Sequence, residues 1–224
     1  MVPGIFRRFR WYYLPTRVKI SSVIEAEALC YRYYPQYVNP EDTVVEVGVY
    51  LGGGTRLLSK LANRVYSFEP HPLHYKVAKV LLSKGIVSNV TLYNFALGNV
   101  DGLAELRVKS ERGNDIAAST VGVTGNTYDS SIRVKMRRLD SLSIAPDVLI
   151  MDAEGAELAV LEGGSQSLQK LKAAIIETHP IASGHTLPAV RVWAENHFSQ
   201  VKVIDVEGNI PWVMAKQSSG STSQ

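Results

Sequence analysis

Five ionisable side chains follow two apolar runs in the second half of the sequence. They are Asp152, Glu154, Glu157, Glu177 and His179. Carboxylates and an imidazole that meet in one place can align a hydroxyl group and remove its proton. Histidine titrates closest to neutral pH, so we predict that His179 is the general base and that Asp152 orients an acceptor or a cofactor. Glu154 is the third catalytic candidate.

Each of these side chains also has a structural interpretation. Glu154 and Glu157 lie where a helix is expected to begin, and acidic residues are stabilised there by the helix dipole. For Glu157 we favour this interpretation, and His179 also fits a hydrogen-bonded histidine in a crevice. Asp152, Glu177 and His179 are ligand types for a divalent cation, but their spacing in the sequence does not show that they converge. We therefore predict no metal site.

A glycine-rich stretch in the first half predicts a ligand-binding turn. The β-branched run Thr43–Val47 carries Glu46 and leads into a loop with glycine at 48, 52, 53 and 54, and a helical pattern begins near Thr55. A second apolar run then ends in Glu69. Strand, glycine turn, helix, strand and acid hold a nucleoside-bearing cofactor, whose ribose hydroxyls the acid can bind. The alternative is a tight turn without a ligand.

The spacing within the glycine loop excludes two common cofactors. A dinucleotide fingerprint needs G-x-G-x-x-G, but Tyr50 follows Gly48 by two positions and Leu57 stands where the third glycine is due. No Gly-Lys-Ser/Thr follows, so the loop is not a P-loop. The remaining pattern, acid-x-Gly-x-x-x-Gly from Glu46 to Gly52, suits a nucleoside that carries an amino acid. This leaves S-adenosylmethionine as the predicted cofactor.

Alternating strand and helix patterns from Thr43 onward predict a mostly parallel sheet that is covered on both faces. The predicted strands are Thr43–Val47, Arg64–Phe68, Val90–Phe95, Asp147–Met151 and Ala173–Glu177. The predicted helices are Gly53–Ala62, Pro70–Ser83 and Pro188–His197. We therefore expect an α/β fold with a doubly wound sheet.

Two further pairs of segments complete the predicted architecture. Leu103–Val108 and Ile132–Arg137 alternate in hydrophobicity and can pair as an antiparallel flap around the polar loop Lys109–Ser131. Val201–Val206 and Ile210–Ala215 flank a Gly-Asn turn and predict a C-terminal antiparallel β-hairpin. A seven-stranded, mostly parallel sheet closed by such a hairpin is the Rossmann-like arrangement of class I methyltransferases.

Composition indicates an ordinary globular protein. Its 224 residues suit one large domain, with 46% hydrophobic and 20% charged residues. The formal charge of +3 is too small to indicate a nucleic-acid partner. Cys30 is the single cysteine, which excludes an internal disulfide, and we expect it to be buried. The sequence has no apolar run of about 20 residues and no signal-peptide core, so we predict a cytoplasmic protein.

We divide the chain into an N-terminal basic and aromatic arm with a helix (1–42), a catalytic domain (43–216) and a disordered tail (217–224). Phe6–Tyr13 interleaves bases with aromatic residues. We expect this arm to pack on the domain; contact with a membrane surface or with nucleic acid is the alternative. A helix is predicted over Ser21–Tyr37, with a stop at Pro35. The remaining histidines are expected to be structural or solvated (His71, His74) or at the surface (His185, His197).

Four further motifs make a family resemblance specific. They are VYSFEPHP (65–72), NFALG (94–98), RLDSL (138–142) and LIMDAEGAE (149–157). In this order, and together with the glycine loop, they resemble the FkbM family of methyltransferases over Thr43–Pro180. The resemblance implies a class I methyltransferase fold, S-adenosylmethionine as the donor, and methyl transfer to a hydroxyl of a sugar or another small metabolite.

The resemblance also implies roles for individual residues. The implied cofactor-binding residues are Glu46, Gly48, Tyr50, Gly52 and Thr55 at the methionine end, Glu69 and Pro70 at the ribose, Asn94 and Ala96 at the adenine, and Asp152 beside the methyl group. Two residues depart from the family pattern. Glu46 stands where aspartate is more frequent, and Ile150 stands where a lysine commonly precedes the aspartate by two residues, so the site lacks a cation there.

Two other functions remain open at this point. The arm favours an RNA methyltransferase, although no Asn-Pro-Pro-Tyr-like motif follows the fourth strand. Ile150 and the uncertain base favour a non-catalytic protein that binds the cofactor on the same fold. The leading expectation is a small-molecule acceptor, and the sequence does not set the oligomeric state.

Overall fold

The structure, a computed structural model, describes residues 31–83, 87–109, 118–205 and 211–218. Within these residues the strands are β1 (Thr43–Val47), β2 (Arg64–Phe68), β3 (Val90–Tyr93), β4 (Ala96–Leu97), β5 (Gly102–Val108), β6 (Ser130–Arg137), β7 (Val148–Met151), β8 (Ala173–Glu177), β9 (Pro180–Ile181), β10 (Gly184–His185), β11 (Gln200–Asp205) and β12 (Pro211–Lys216). The helices are α1 (Gly53–Leu61), α2 (Pro72–Ser83), α3 (Glu157–Gly163) and α4 (Leu187–His197), with 3₁₀ turns at Tyr34–Gln36 and Leu139–Leu142.

Seven strands form the central sheet in the order β11-β12-β8-β7-β1-β2-β3. The five strands from β8 to β3 run parallel, and β12 pairs antiparallel with both β8 and β11. The chain moves outward in both directions from the β1–β7 junction, so the carboxyl ends of these two strands border a crevice. The predicted doubly wound sheet with an antiparallel hairpin is confirmed. The predicted hairpin turn lies outside the described residues.

Both faces of the sheet are covered, because neighbouring residues of each strand point to opposite sides. In β1, Val45 belongs to one core and Val44 to the other. The first core includes Leu149, Met151, Leu161, Ile176, Val190 and Ala194. The second includes Tyr34, Leu58, Val148, Ile150, Ile175 and Trp212. The near-continuous apolar strands of the sequence are explained by this double burial.

A second sheet of three strands, in the order β4-β6-β5, forms what we call the flap. β5 and β6 pair antiparallel, as predicted. The third predicted strand is shorter than expected: β3 ends at Tyr93, and Ala96 and Leu97 leave the central sheet to pair with β6. Asn94 marks the break, because its side chain donates hydrogen bonds to the carbonyls of Glu69 and Pro70.

The amino-terminal edge of the sheet is closed by charged side chains. Oδ2 of Asp147 accepts the backbone N–H of Thr43 at 2.8 Å, and Nζ of Lys172 lies 2.9 Å from Oδ1 of Asp147 and 3.0 Å from Oδ1 of Asp42. Asp147 therefore makes hydrogen bonds at this edge instead of belonging to the strand, and β7 begins at Val148, one residue later than predicted. This edge carries no residue of the predicted site.

Several predicted segments lie partly outside the described residues. The arm up to residue 30, including Cys30, and the tail from residue 219 are among them. Tyr31, the first described residue of the predicted Ser21–Tyr37 helix, is α-helical, and the α-helix ends before Pro35, which lies in a separate 3₁₀ turn at Tyr34–Gln36. None of the helices in the described part of the chain is long and apolar enough to span a membrane.

Candidate active site

The glycine loop lies against the end of β7. Gly48, Tyr50 and Gly52 have φ values of +83°, +50° and +89°, so three of five consecutive residues are left-handed. A β-carbon on Gly48 would overlap the carbonyl oxygen of Asp152. Glycine is required at position 48 both by its conformation and by this contact. The loop that was predicted to hold the cofactor thus adjoins the residue that was predicted to orient the acceptor.

Glu69, at the carboxyl end of β2, holds the loop in this shape. The residue is 4% exposed. Its Oε2 accepts the backbone N–H groups of Val49 (3.2 Å) and Tyr50 (2.8 Å), and its Oε1 accepts that of His71 (2.8 Å). A carboxylate oxygen has two acceptor sites, so Oε1 retains the capacity to accept one more donor. A ribose hydroxyl is a donor of the required kind.

Two buried histidines stand behind Glu69. The rings of His71 and His74 stack with their centroids 4.1 Å apart. Nδ1 of His71 accepts the backbone N–H of Leu73 at 3.2 Å, and Nδ1 of His74 lies 3.7 Å from Oε1 of Glu69. Both histidines are structural rather than solvated. Within the described residues, Nε2 of His74 is buried and makes no hydrogen bond.

Glu46 lies beneath the loop and is 3% exposed. Its Oε2 accepts hydrogen bonds from the hydroxyls of Thr55 (2.7 Å) and Ser67 (2.6 Å), which join β1 to α1 and β2. Ile150 is its partner in the register of β7 and packs in the second core, so it brings no charge to Glu46. The contact of Glu46 and Thr55 with the methionine end stays a prediction. The structure gives both residues a supporting position.

The residues predicted at the adenine are separated by the start of the flap. Asn94 is exposed and fixes the backbone of Glu69 and Pro70 through its side-chain amide. Ala96 is 5% exposed, and its side chain packs in the flap core with Leu106. The side chain of Ala96 therefore does not line the crevice, and a contact of this residue with the adenine stays a prediction that only its backbone could fulfil. The reason is that the chain switches from the central sheet to the flap between the two residues.

The five ionisable residues after β7 and β8 converge on one point. Nδ1 of His179 lies 2.9 Å from Oε1 of Glu157. Its Nε2 lies 3.5 Å from Oε1 of Glu177 and 3.7 Å from both Oδ1 of Asp152 and Oε2 of Glu154. The sequence predicted these side chains near the carboxyl edge of the sheet without showing that they converge, and the structure brings them together. We call this group the carboxylate–histidine cluster.

The start of α4 positions His179. The backbone N–H of His179 donates to Oγ1 of Thr186 at 2.9 Å, and the N–H of Thr186 donates back to the carbonyl of His179 at 3.0 Å. The short hairpin of β9 and β10 brings these two residues together. These two hydrogen bonds therefore hold the backbone of His179 independently of the contacts of its ring.

A tight turn positions two of the carboxylates. Glu154 and Gly155 have φ values of +48° and +94°, and the carbonyl of Ala153 accepts the N–H of Ala156 at 3.1 Å. Two successive left-handed residues in this position are characteristic of a type I′ turn. The N–H of Gly155 then donates to Oε1 of Glu157 at 2.9 Å, the oxygen that contacts His179.

The charge of His179 differs from our prediction. Burial opposes protonation, but the hydrogen bonds to Glu157 and Glu177 and the charges of Asp152 and Glu154 outweigh it and raise the pKa of His179 to about 12. A pKa raised this far favours the imidazolium at neutral pH, which has no lone pair to accept a proton. The role of His179 as the general base stays a prediction, and this pKa argues against it.

Asp152 is a second candidate for the base. Its Oδ1 is buried without a hydrogen-bond partner among the described residues, while 42% of its side chain is exposed. Burial raises the pKa of Asp152 well above its usual range, and the charges of Glu177 and Glu154 raise it further. A carboxylate with a raised pKa takes up a proton more readily than an ordinary aspartate does.

Glu157 and Glu177 are site residues that sequence reasoning undervalued. Glu157 is the first residue of α3, as its interpretation as a helix N-terminal acid predicted, and it is also fully buried and contacts His179. The only available signal was that both acids lie near strand ends.

Asp152, Glu154 and His179 present ligand atoms within 4.8 Å of one another, a spacing that suits a metal ion, although His179 would first have to lose a proton.

Comparison with known proteins places the chain in a family. The methyltransferase FkbM domain matches residues 41–200. The chain belongs to this family. A search of curated proteins finds no match.

Solved structures show the same fold. The FkbM methyltransferase of Methylobacillus flagellatus KT has a TM-score of 0.53 at 13% identity, over 87% of this chain and 59% of that protein. An rRNA methylase of Streptococcus thermophilus has a TM-score of 0.52 at 13% identity, over 84% of this chain and 94% of that one. TYW2 of M. jannaschii, in complex with AdoMet, has a TM-score of 0.51 at 13% identity, over 90% and 77%. The fold is that of the class I methyltransferases.

Proposed function

We propose that this protein transfers a methyl group from S-adenosylmethionine to a hydroxyl group of a neutral or cationic small molecule, such as a sugar. The observation that carries the proposal is the contact between the glycine loop and the carboxylate–histidine cluster, where Gly48 packs on Asp152. Family membership and the bound AdoMet of TYW2 support the choice of donor. The cofactor loop and the base therefore belong to one site.

The residues on the cofactor side suit this donor. S-adenosylmethionine supplies a methyl group on a sulfonium, which is a good leaving group. The loop Gly48–Gly52 would bind the methionine end, and Oε1 of Glu69 has the capacity to accept a ribose hydroxyl.

Asp152 and His179 have different roles on the acceptor side of the site. Asp152 accepts the hydroxyl proton, because its raised pKa matches this task. His179 acts as a fixed positive charge that holds Asp152, Glu154 and Glu177 together. Glu157 keeps the imidazolium oriented through Nδ1. In this proposal the general base is therefore Asp152 rather than His179.

The charge of the cluster restricts the acceptor. Four carboxylates surround one imidazolium, which leaves an excess of negative charge at the crevice. A phosphate or carboxylate on the acceptor is repelled there. One structural neighbour is an rRNA methylase, but the phosphates of RNA are disfavoured beside this cluster. We therefore propose uncharged or cationic hydroxyl compounds as acceptors.

Titration calorimetry with S-adenosylhomocysteine tests the cofactor site. We expect wild-type protein to bind in the micromolar range and Glu69→Ala to show no measurable binding, because the loop N–H groups of Val49 and Tyr50 and the N–H of His71 lose their carboxylate acceptor. Glu105→Ala, an exposed acid on β5, is the matched control and should bind as wild type. Absence of binding by the wild-type protein would refute the proposal.

Transfer assays with radiolabelled S-adenosylmethionine test the chemistry. A panel should contain neutral, cationic and anionic hydroxyl compounds and RNA. We expect transfer to neutral or cationic compounds, and a decrease in kcat on the order of 10²–10⁴-fold for Asp152→Asn. Methylation of RNA alone would contradict the proposed acceptor class. Cofactor binding without transfer to any compound would instead support a non-catalytic protein.

A further inference from the structure

The turn that carries Glu154 is held from outside by the flap. Oγ of Ser119 donates a hydrogen bond to the carbonyl oxygen of Glu154 at 2.5 Å. Ser119 is 1% exposed, and 35 residues separate it from Glu154 in the chain. A left-handed non-glycine residue persists only where its surroundings fix it. Ser119 supplies such a contact at the residue that needs it.

Ser119 is itself fixed by the flap rather than by the turn. Its backbone pairs with Arg107 of β5 through two hydrogen bonds of 2.8 and 3.1 Å. Its Oγ also accepts the backbone N–H groups of Val121 (3.1 Å) and Gly122 (2.7 Å). Nη1 of Arg107 donates to the carbonyl of Val121 at 2.9 Å. These hydrogen bonds within the flap segment therefore orient the Ser119 hydroxyl independently of its contact with the turn.

The same flap segment reaches the other half of the site. Val123 forms a β-bridge with Ile181, and the N–H of Thr124 donates to the carbonyl of Pro180 at 2.8 Å, directly after His179. A β-carbon on Gly155 would lie 2.8 Å from Cγ2 of Ile181. Residues 118–124 thus link the turn of Glu154 with the segment that follows His179.

We propose that Ser119 is a positioning residue: its hydroxyl fixes the left-handed turn, and the turn aims the carboxylate of Glu154 and the N–H of Gly155 at the His179–Glu157 pair. The catalytic meaning of this role rests on the proposed function. The flap thereby sets the geometry of the carboxylate–histidine cluster without touching the reacting atoms. Its effect on the reaction passes through Glu154.

The first test follows the ring of His179 by NMR in ¹⁵N-histidine-labelled full-length protein across the alkaline range. We expect Ser119→Ala to lower the titration midpoint of His179 by at least about one pKa unit, a tenfold change in proton affinity. Glu154→Gln should give a similar shift. Ser119→Ala should add nothing further in the Glu154→Gln background, because both changes act through one carboxylate.

Two further variants serve as controls. Ser119→Thr keeps the hydroxyl and should titrate as wild type. Ser131→Ala removes an exposed hydroxyl from the residue that pairs with Arg107 on its other side, and it should also titrate as wild type. If Ser119→Ala does not fold, Ser119→Cys removes the strong donor without leaving a cavity. A wild-type titration in the folded Ser119→Ala or Ser119→Cys variant, or a fully additive double variant, would overturn the proposal.

Kinetics separate this proposal from the proposed function. With an acceptor found in the transfer assays, we expect Ser119→Ala to lower kcat about tenfold and to leave the KM for S-adenosylmethionine within about twofold, a tenfold change being 1.4 kcal/mol. A tenfold rise in the KM for S-adenosylmethionine beside the tenfold fall in kcat would contradict a role through Glu154. If the wild-type protein neither binds S-adenosylhomocysteine nor transfers a methyl group, the proposed function fails, while the NMR experiment still decides the role of Ser119.

Discussion

The α-carbon of Gly48 faces the carbonyl oxygen of Asp152 so closely that no side chain fits between them. The N–H of Asp152 also donates to the carbonyl of Val47 at 2.8 Å, so the ends of β1 and β7 are hydrogen-bonded next to this contact. One residue belongs to the cofactor loop and the other is the proposed base. A shift of the loop therefore moves the backbone that carries the base.

Replacing Gly48 by alanine should damage both halves of the site. The new β-carbon would meet the Asp152 carbonyl, and φ of +83° is unfavourable for alanine. We expect Gly48→Ala to lose about 1–3 kcal/mol of stability and to weaken S-adenosylhomocysteine binding by at least about tenfold. Gly102→Ala is the matched control, since a β-carbon there meets nothing within 4 Å. Equal melting temperatures and affinities for the two variants would refute this account.

The pH dependence of stability should reveal the charge of His179. Its pKa rises from an ordinary value of 6.5 in the unfolded chain to about 12 in the folded protein. The stabilisation from this proton is complete below about pH 6.5 and is lost as the pH rises towards 12. Urea unfolding of the wild type and of His179→Gln should therefore give a stability difference that shrinks with rising pH. A difference that grows with pH in this window would show that the ring is not held as an imidazolium.

Glu157→Gln should weaken the carboxylate–histidine cluster. The substitution removes the buried charge 2.9 Å from Nδ1 of His179, so the pKa of His179 should fall. We expect a loss of about 1–3 kcal/mol in the free energy of unfolding, because the hydrogen bond to a charged group is lost. Glu162→Gln, an exposed acid on the same helix that accepts a bond from Asn99, should cost far less. Chemical denaturation of both variants measures the difference.

The hydroxyls around Glu46 should stabilise the fold. Ser67→Ala and Thr55→Val each remove a donor to Oε2 of this buried carboxylate. Each variant should lose about 1–3 kcal/mol in thermal or urea unfolding, because a buried acceptor is left with one partner fewer. Ser59→Ala, which removes an exposed hydroxyl on α1, provides the baseline. Losses no larger than that baseline would mean that the carboxylate is satisfied without these hydroxyls.

Much of the fold follows from local patterns in the sequence. The apolar runs, the glycine loop and the acids at strand ends place the central strands to within a few residues, since each signal lies within one element. Ala96 shows the limit: hydrophobicity continues from Val90 through Leu97, but the chain changes sheets after Tyr93. The hydrogen bonds of Asn94, which lie between elements, mark that change.

The sequence predicted which residues lie near the candidate site, but it did not predict the charge of His179. Strand ends of a parallel sheet meet at one edge, so the placement of Asp152 and His179 at that edge follows from the order of elements, whereas their contact does not. The protonation of His179 depends on distances to four carboxylates from three segments, which spacing does not give. The contact of Ser119 with Glu154 spans 35 residues and leaves no local signal.

The flap has a small hydrophobic core of its own, formed by Ala96, Leu106, Val108, Val134 and Met136. Leu97 of β4 nevertheless packs in the first core of the central sheet, so β4 joins the flap to that sheet. A graft that exchanges the flap therefore has to keep both the packing of Leu97 and the hydrogen bond from Ser119 to the carbonyl of Glu154.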